Sequence, residues 1–251
     1  MSIEIRAARS DEMDDYQRLA SYVFGNPDSI APSDDPQLVQ PEWTTCAFVD
    51  GRLATTMGVF PFHMRLNGAT VSAAGVTAVG TYPEFRRRGL LRRVIMQGFA
   101  EQREREQSLA ILWASYGAIY QRFGYGLAST WVQYSFDPRD VALREPYEGA
   151  GSVSLVRGDE ALATIKRVYI EHVRPRNLML HRADVMWQRG IMRIDDKKRR
   201  HIAIYRDEGG EARGYMVYGL KEEHRDGVSG PDQVMDVRDF VAIDLDAYRA
   251  L

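Results

Sequence analysis

Val76-Thr77-Ala78-Val79-Gly80-Thr81-Tyr82-Pro83-Glu84-Phe85-Arg86-Arg87-Arg88-Gly89-Leu90-Leu91-Arg92 is the stretch on which the reading of this chain turns. An apolar strand stops at a proline, an arginine-rich turn follows, and a glycine opens a helix that holds no further proline. The first N–H groups of a helix have no partner inside it, and the helix dipole adds partial positive charge there. A pyrophosphate suits such an end. Gly89 lets an oxygen approach the main chain where a Cβ would intrude. Arg87, Arg88 and Arg92 can add charge-assisted bonds. Two blander readings stand beside this one: a solvated basic helix face, and a nucleic-acid patch, since five arginines fall within 86–93.

Working outward, the next informative stretch is Leu112-Trp113-Ala114-Ser115-Tyr116-Gly117-Ala118-Ile119-Tyr120-Gln121-Arg122-Phe123-Gly124-Tyr125-Gly126. An apolar strand from Leu109 to Ala114 meets a short helix, Tyr116 to Phe123. Upstream, Ile3 to Ala7 alternates as a half-buried strand does. Ser10 is placed to cap a helix through Val23. The segment 26–41 carries four prolines and three aspartates and reads as a loop. Thr44 to Val49, the Asp50-Gly51 turn and Leu53 to Met64 form a hairpin, and Asn67-Gly68 turns into a long strand, Ala69 to Tyr82. Ser129 to Phe136 reads as one more strand. After a polar connection the order restarts: strand at Val153, helices from Asp159 and Arg182, a hairpin around Gly209-Gly210, and a long strand from Gln233 to Ala242. The duplication is of element order, with no residue-level repeat.

The two central stretches together resemble the GNAT acetyltransferase superfamily. Arg86-Arg87-Arg88-Gly89-Leu90-Leu91 looks like its acetyl-CoA motif, with Leu91 where glycine or alanine is usual. That departure, with the Ser-x-x-x-Ile-Tyr-x-Arg-Phe-Gly-Tyr-Gly run from Ser115, is similar to the enhanced intracellular survival (Eis) family of actinobacterial aminoglycoside and lysine N-acetyltransferases. The resemblance implies an α/β fold of two tandem GNAT units, each a mixed, mostly antiparallel sheet with flanking helices. It implies a complete unit over 1–147 and a degenerate one over 148–251. The second carries neither glycine nor an arginine cluster after Val241-Ala242-Ile243, so no acetyl-CoA is expected there.

By the same resemblance, Val79, Gly80 and Thr81 offer backbone groups to the pantetheine and acetyl carbonyl. Arg87, Arg88, Gly89, Leu90, Leu91 and Arg92 hold the pyrophosphate, and Ser115 and Tyr116 stand beside the cosubstrate. Tyr120 matches the general acid. Independently, a phenol of pKa about 10 can protonate a departing thiolate at neutral pH, although a tyrosine on a short helix can also simply pack. Tyr125 reads as packing. Tyr22, Phe24, Asp28, Asp34, Asp35 and Trp43 fall where the family builds its acceptor pocket. Carboxylates and aromatics suit a polycationic amine, and Phe24, Asp28 and Trp43 are the named candidates. By the same resemblance the base is the chain's own C-terminal carboxylate, reached from a third domain, and the length of this chain leads to the expectation that it does not supply that base.

Composition narrows the alternatives. Lys+Arg 33 against Asp+Glu 35 gives a formal charge of −2, unlike a basic nucleic-acid binder. The single cysteine, Cys46, can form no intrachain disulfide and reads as a small buried hydrophobe in a reducing compartment. No run approaches the about 18 apolar residues that span a bilayer. The expectations are therefore a cytoplasmic enzyme with acetyl-CoA and no metal, neither nucleic acid nor membrane as partner, and a homo-oligomer, hexameric by resemblance. The competing class is a non-catalytic module that binds acetyl-CoA as a signal.

Overall fold

A computed structural model describes residues 1–25, 39–145, 147–191, 200–222 and 233–251. It divides into two compact units, one of Met1–Met64 with Thr70–Val132, the other of Arg65–Ala69 with Gln133–Leu251. Residues 133–147 thus group with the second unit. Tyr147 is tied there by a 2.8 Å hydrogen bond to the Tyr205 hydroxyl, and its own hydroxyl accepts from Gly151 N–H.

In the first unit β1 (Ile3–Arg6), β2 (Cys46–Val49), β3 (Arg52–Leu66), β4 (Ala69–Thr81) and β5 (Leu109–Leu112) lie side by side in that order. The turns are those the dipeptides predict. Asp50 and Gly51 both have positive φ, as do Asn67 and Gly68, the conformation that matches hairpin twist. β4 and β5 run parallel, and a helix carries the chain back between them.

That helix is α2 (Leu90–Glu104). Leu90, Val94, Ile95, Gly98 and Gln102 fall on one stripe and are buried. They close a core with Ala54, Met57, Val59, Ala74 and Val76 of β3 and β4. On the other side α1 (Met13–Val23) packs Met13, Tyr16 and Ala20 with Cys46, Phe48 and Ala78. Gly80 of β4 sits hard against this helix, and a Cβ there would lie 2.7 Å from Val23 Cγ2. Cys46 is fully buried, and desolvation pushes its thiol up to about 12, so it behaves as the hydrophobe its context suggests.

Two expectations are corrected. Ser10 caps no helix: Ser10–Glu12 form a 3₁₀ turn in which the Glu12 carboxylate accepts from Arg9 N–H at 2.8 Å. Ser129 to Phe136 forms no strand, and Trp131, Val132, Tyr134 and Phe136 are exposed there. Its period-two apolar pattern reports one-sided burial in principle, yet a strand exists only where a neighbour supplies the ladder.

The second unit stacks α4 (Gly158–Val173) on a wholly antiparallel sheet. The sheet has the order β9 (Gln233–Ala242), β8 (Ala212–Glu222), β7 (Arg200–Arg206), β6 (Ser152–Val156). Ile165, Val168 and Tyr169 of α4 meet Ile202, Ile204, Tyr215 and Val217. Arg182 is paired with Asp239 at 2.6 Å, and its guanidinium lies 3.9 Å from the centre of the Tyr169 ring. A largely desolvated pair of this kind is costly to break from one side. The helical segment expected at Arg182 begins at Asp184 (α5, Asp184–Met186), and Trp187–Ile191 widens into a π turn. The unit ends on α6 (Leu245–Ala250).

Glu12 also faces the Arg6 guanidinium, with two contacts of 2.7 and 2.8 Å. This pairing with Arg6 holds its carboxyl down at about 2 against an ordinary 4.5. The folded state therefore favours the ionised acid. The stability this supplies is complete above pH 4.5 and drains away as pH falls toward 2. Glu12→Gln should cost about 1–3 kcal/mol at neutral pH and flatten the acid limb of a urea-melt pH series.

Candidate active site

The site is built where β4 loses a neighbour. Parallel pairing with β5 runs Ala73–Leu109, Ala74–Ala110, Gly75–Ile111 and Val76–Leu112, and stops. β4 continues to Thr81, while the chain beyond Leu112 leaves as the exposed run Trp113–Gly117. One side of the backbone from Thr77 to Thr81 thus lies open along the gap. Val79, Gly80 and Thr81 are in this segment.

Within it Ala78 has φ +50. A non-glycine residue in the left-handed region carries about 1–2 kcal/mol of strain and kinks a strand as a bulge does. The kink is pinned from β3: the Thr56 hydroxyl donates to the Ala78 carbonyl at 2.8 Å, in a fully buried setting. One turn of chain later Thr55 and Thr81 hydroxyls meet at 3.1 Å, and Tyr82 N–H donates to Ala54 at 3.1 Å. Neither Thr56 nor Ala78 was marked by sequence reasoning. An alanine in αL leaves no signature in composition or spacing.

The arginine loop follows directly. A 3₁₀ turn, Pro83–Phe85, buries Phe85, and Gly89 at φ +74 caps α2 with no side-chain bond. Arg87 is left-handed as well, at φ +60. Left-handed Gly89 followed by the right-handed start of α2 turns successive N–H groups toward one side, as in an anion-binding nest. Among the described residues, the N–H groups of Arg87, Arg88, Gly89, Leu90, Leu91 and Arg92 make no backbone hydrogen bond. No atom lies within 4 Å of where a Gly89 Cβ would stand. Arg87, Arg88 and Arg92 are exposed; among the described residues none of them is paired with a carboxylate, and Arg88 meets Met1 Sδ at 3.6 Å and the face of Phe85. Leu90 instead is buried and Leu91 partly so, anchoring the helix start in the core.

Across the gap, α3 (Ala118–Gln121) carries Tyr120. Its ring meets Tyr125 edge-on at 5.7 Å, and Tyr125 in turn packs on Phe99 of α2 at 6.0 Å. Tyr125 therefore packs, as expected, and locks Tyr120 to α2. Desolvation raises the Tyr120 phenol above its ordinary value, and the same burial pushes Tyr125 up to about 12. Ser115 and Tyr116 are exposed in the run that leaves β5.

The proposed acceptor residues separate. Tyr22 and Phe24, at the end of α1, are exposed beside the gap: Tyr22 packs on Tyr82 at 5.8 Å, next to the Val23–Gly80 contact. Trp43 lies under the guanidinium of Arg105, the residue just past the end of α2, at 4.4 Å, and packs partly against the core beneath that helix. A cavity of about 480 Å³ lined by Phe99, Gln102 and Gln107 occupies that far end too, away from the gap. Asp28, Asp34 and Asp35 lie outside the described residues. Among the described residues no group of three His, Cys, Asp or Glu is placed to hold a metal, and no helix is long and apolar enough to cross a membrane.

Two family models, both for an acetyltransferase (GNAT) domain, match residues 4–128 and 178–251. The chain belongs to the GNAT acetyltransferase family. An uncharacterized N-acetyltransferase of Streptomyces avermitilis is 30% identical across all of this chain and 63% of its own length. The N-acetyltransferase Eis of Mycobacterium bovis is 31% identical over 51% of this chain and 36% of its own. The fold of Eis1 from Mycobacterium abscessus matches the whole chain with a TM-score of 0.76 at 23% identity, covering 61% of that protein. The chain thus spans under two thirds of the length of these relatives.

In the first GNAT domain the splayed β4 and the open start of α2 fit the acetyl-CoA that the family uses: a long backbone edge for the pantetheine, a nest and unpaired arginines for the phosphates. The second GNAT domain differs at the matching helix. There the Asp244 carboxylate itself accepts from Ala247 N–H at 2.9 Å and binds Arg213 at 2.9 Å, so the N-terminus of α6 is already filled by an acid.

Gly89→Ala places a Cβ in the open nest and forces alanine to φ +74. It should lower stability by about 1 kcal/mol. It should also weaken acetyl-CoA binding about tenfold by titration calorimetry, with inorganic pyrophosphate competing less well in the variant.

Proposed function

We propose that the chain transfers an acetyl group from acetyl-CoA to a primary amine of a polycationic acceptor, an aminoglycoside or a lysine-like amine, by direct attack on the thioester. The observation that carries this reading is the parted pair β4 and β5, bounded at one end by the arginine-lined start of α2. The curated relatives named N-acetyltransferase support it further. When bound, acetyl-CoA supplies an activated acyl group and a thiol leaving group.

In this reading the nest at Arg87–Arg92 holds the pyrophosphate, with Arg87, Arg88 and Arg92 reaching its outer oxygens. Backbone N–H groups along Val79–Thr81 face the acyl carbonyl and stabilise charge as it develops on oxygen. Tyr120 gives its phenolic proton to the departing sulfur. Burial keeps that phenol neutral, so the acid is in its working form across the physiological range. Tyr22 and Phe24, exposed beside the gap, offer ring faces to a cationic acceptor. A regulatory module that binds acetyl-CoA without turnover is the rival reading.

The deciding assay follows thiol release from acetyl-CoA across aminoglycosides, polyamines and lysine peptides. Turnover with at least one amine supports the proposal. Acetyl-CoA binding with no thiol release from any amine favours the regulatory module. Tyr120→Phe should cut kcat about 100-fold or more while acetyl-CoA affinity stays within about twofold. With the phenol raised, the alkaline limb of kcat set by this group should lie above pH 10. An unchanged rate in Tyr120→Phe removes the acid role from this residue.

A further inference from the structure

The Ala78 carbonyl and the Val79 N–H belong to one peptide unit. That unit is planar and trans, so the two groups point in opposite directions. The Thr56 hydroxyl on β3 holds the carbonyl at 2.8 Å. The Val79 N–H is thereby turned away from β3, toward the side of β4 that β5 leaves after Val76–Leu112. In an undistorted strand this peptide would follow the regular alternation of the ladder. The positive φ of Ala78 breaks the alternation here, at the start of the open segment.

The hydroxyl that enforces the turn is well placed to be specific. Thr56 has no solvent exposure, and its neighbours Thr55 and Met57 are buried as well. A β-branched side chain in a strand has few rotamers, so its Oγ is held in one place. The partner atom is a backbone oxygen, so no side chain on β4 could take over the contact.

We propose that Thr56 is a positioning residue for acyl transfer: by fixing the Ala78 carbonyl it aims the Val79 N–H at the thioester carbonyl oxygen. This rests on the acetyltransferase reading above. Thr56 touches neither acetyl-CoA nor the amine. It acts through one peptide plane.

The test compares Thr56→Val, which keeps shape and loses the donor, with Thr56→Ser, which keeps the donor. Two readouts are taken on folded protein. The first is kcat and KM for acetyl-CoA with whichever amine turns over. Thr56→Val should lower kcat at least tenfold, since a misaimed oxyanion donor acts mainly on the transition state, and leave KM within about twofold. Thr56→Ser should restore most of the rate. The second is the carbonyl stretch of bound acetyl-CoA labelled with ¹³C at the acetyl carbon. The band should sit below its solution frequency in the native protein and in Thr56→Ser, and move back up in Thr56→Val.

If Thr56→Val keeps both the native rate and the native band, Thr56 only supports the fold and the proposal is overturned. If no amine turns over in the native protein, the acetyltransferase reading fails, yet the band still decides whether Thr56 aims the Val79 N–H. Should Thr56→Val not fold, Thr56→Ala removes the same donor with less crowding and is read in the same way.

Discussion

Backbone N–H and C=O groups must find partners, and in a sheet the neighbouring strand provides them. Strand β4 is denied that on one side from Thr77 onward, because β5 ends its pairing at Leu112. The rest of the first unit follows from this deficit. The sheet core beneath must hold β4 in place without help from β5, and does so through the long β3–β4 hairpin and the stripe of α2 from Leu90 to Gln102. The kink at Ala78 needs an anchor, and Thr56 supplies it. Gly80 lets α1 press onto the same segment from one face.

The two GNAT domains show how little needs to change for such a site to exist or not. Both have a long strand followed by a helix. In the first, the helix begins with a left-handed glycine and arginines that no described acid neutralises. In the second, the helix begins with Asp244, whose carboxylate caps its own helix and binds Arg213. Arginine there is spent on structure: Arg182 with Asp239, Arg213 with Glu171 and Asp244. The family resemblance covers both domains; among the described residues, the first brings together helix-start N–H groups without backbone partners and arginines without a carboxylate.

Much of this was legible in the sequence because it is written in local rules. Asn67-Gly68 names its hairpin, and Gly89 after three arginines names the start of α2. The Arg-Gly and Tyr-Gly motifs point to the family. What escaped was set by partners far along the chain. Ser129–Phe136 has the alternation of a strand, but no described strand pairs with it. The close approach of Val23 of α1 to Gly80 leaves no mark in the spacing of either segment. The contact of Trp43 with Arg105, 62 residues further on, likewise depends on the packed fold and not on local spacing. The Thr56–Ala78 bond joins two unremarkable residues and could be seen only once β3 and β4 were in register.

The burial of Cys46 has a chemical consequence. Each turnover of the proposed reaction would set free a thiol next to the protein, in a place where a reactive cysteine would invite mixed disulfides. Exchange needs a thiolate and a path for the incoming sulfur. Cys46, the one cysteine of the chain, offers neither: it has no solvent exposure, and its thiol is held protonated by burial. The one cysteine of this chain is thereby shielded from the thiol that the proposed reaction releases.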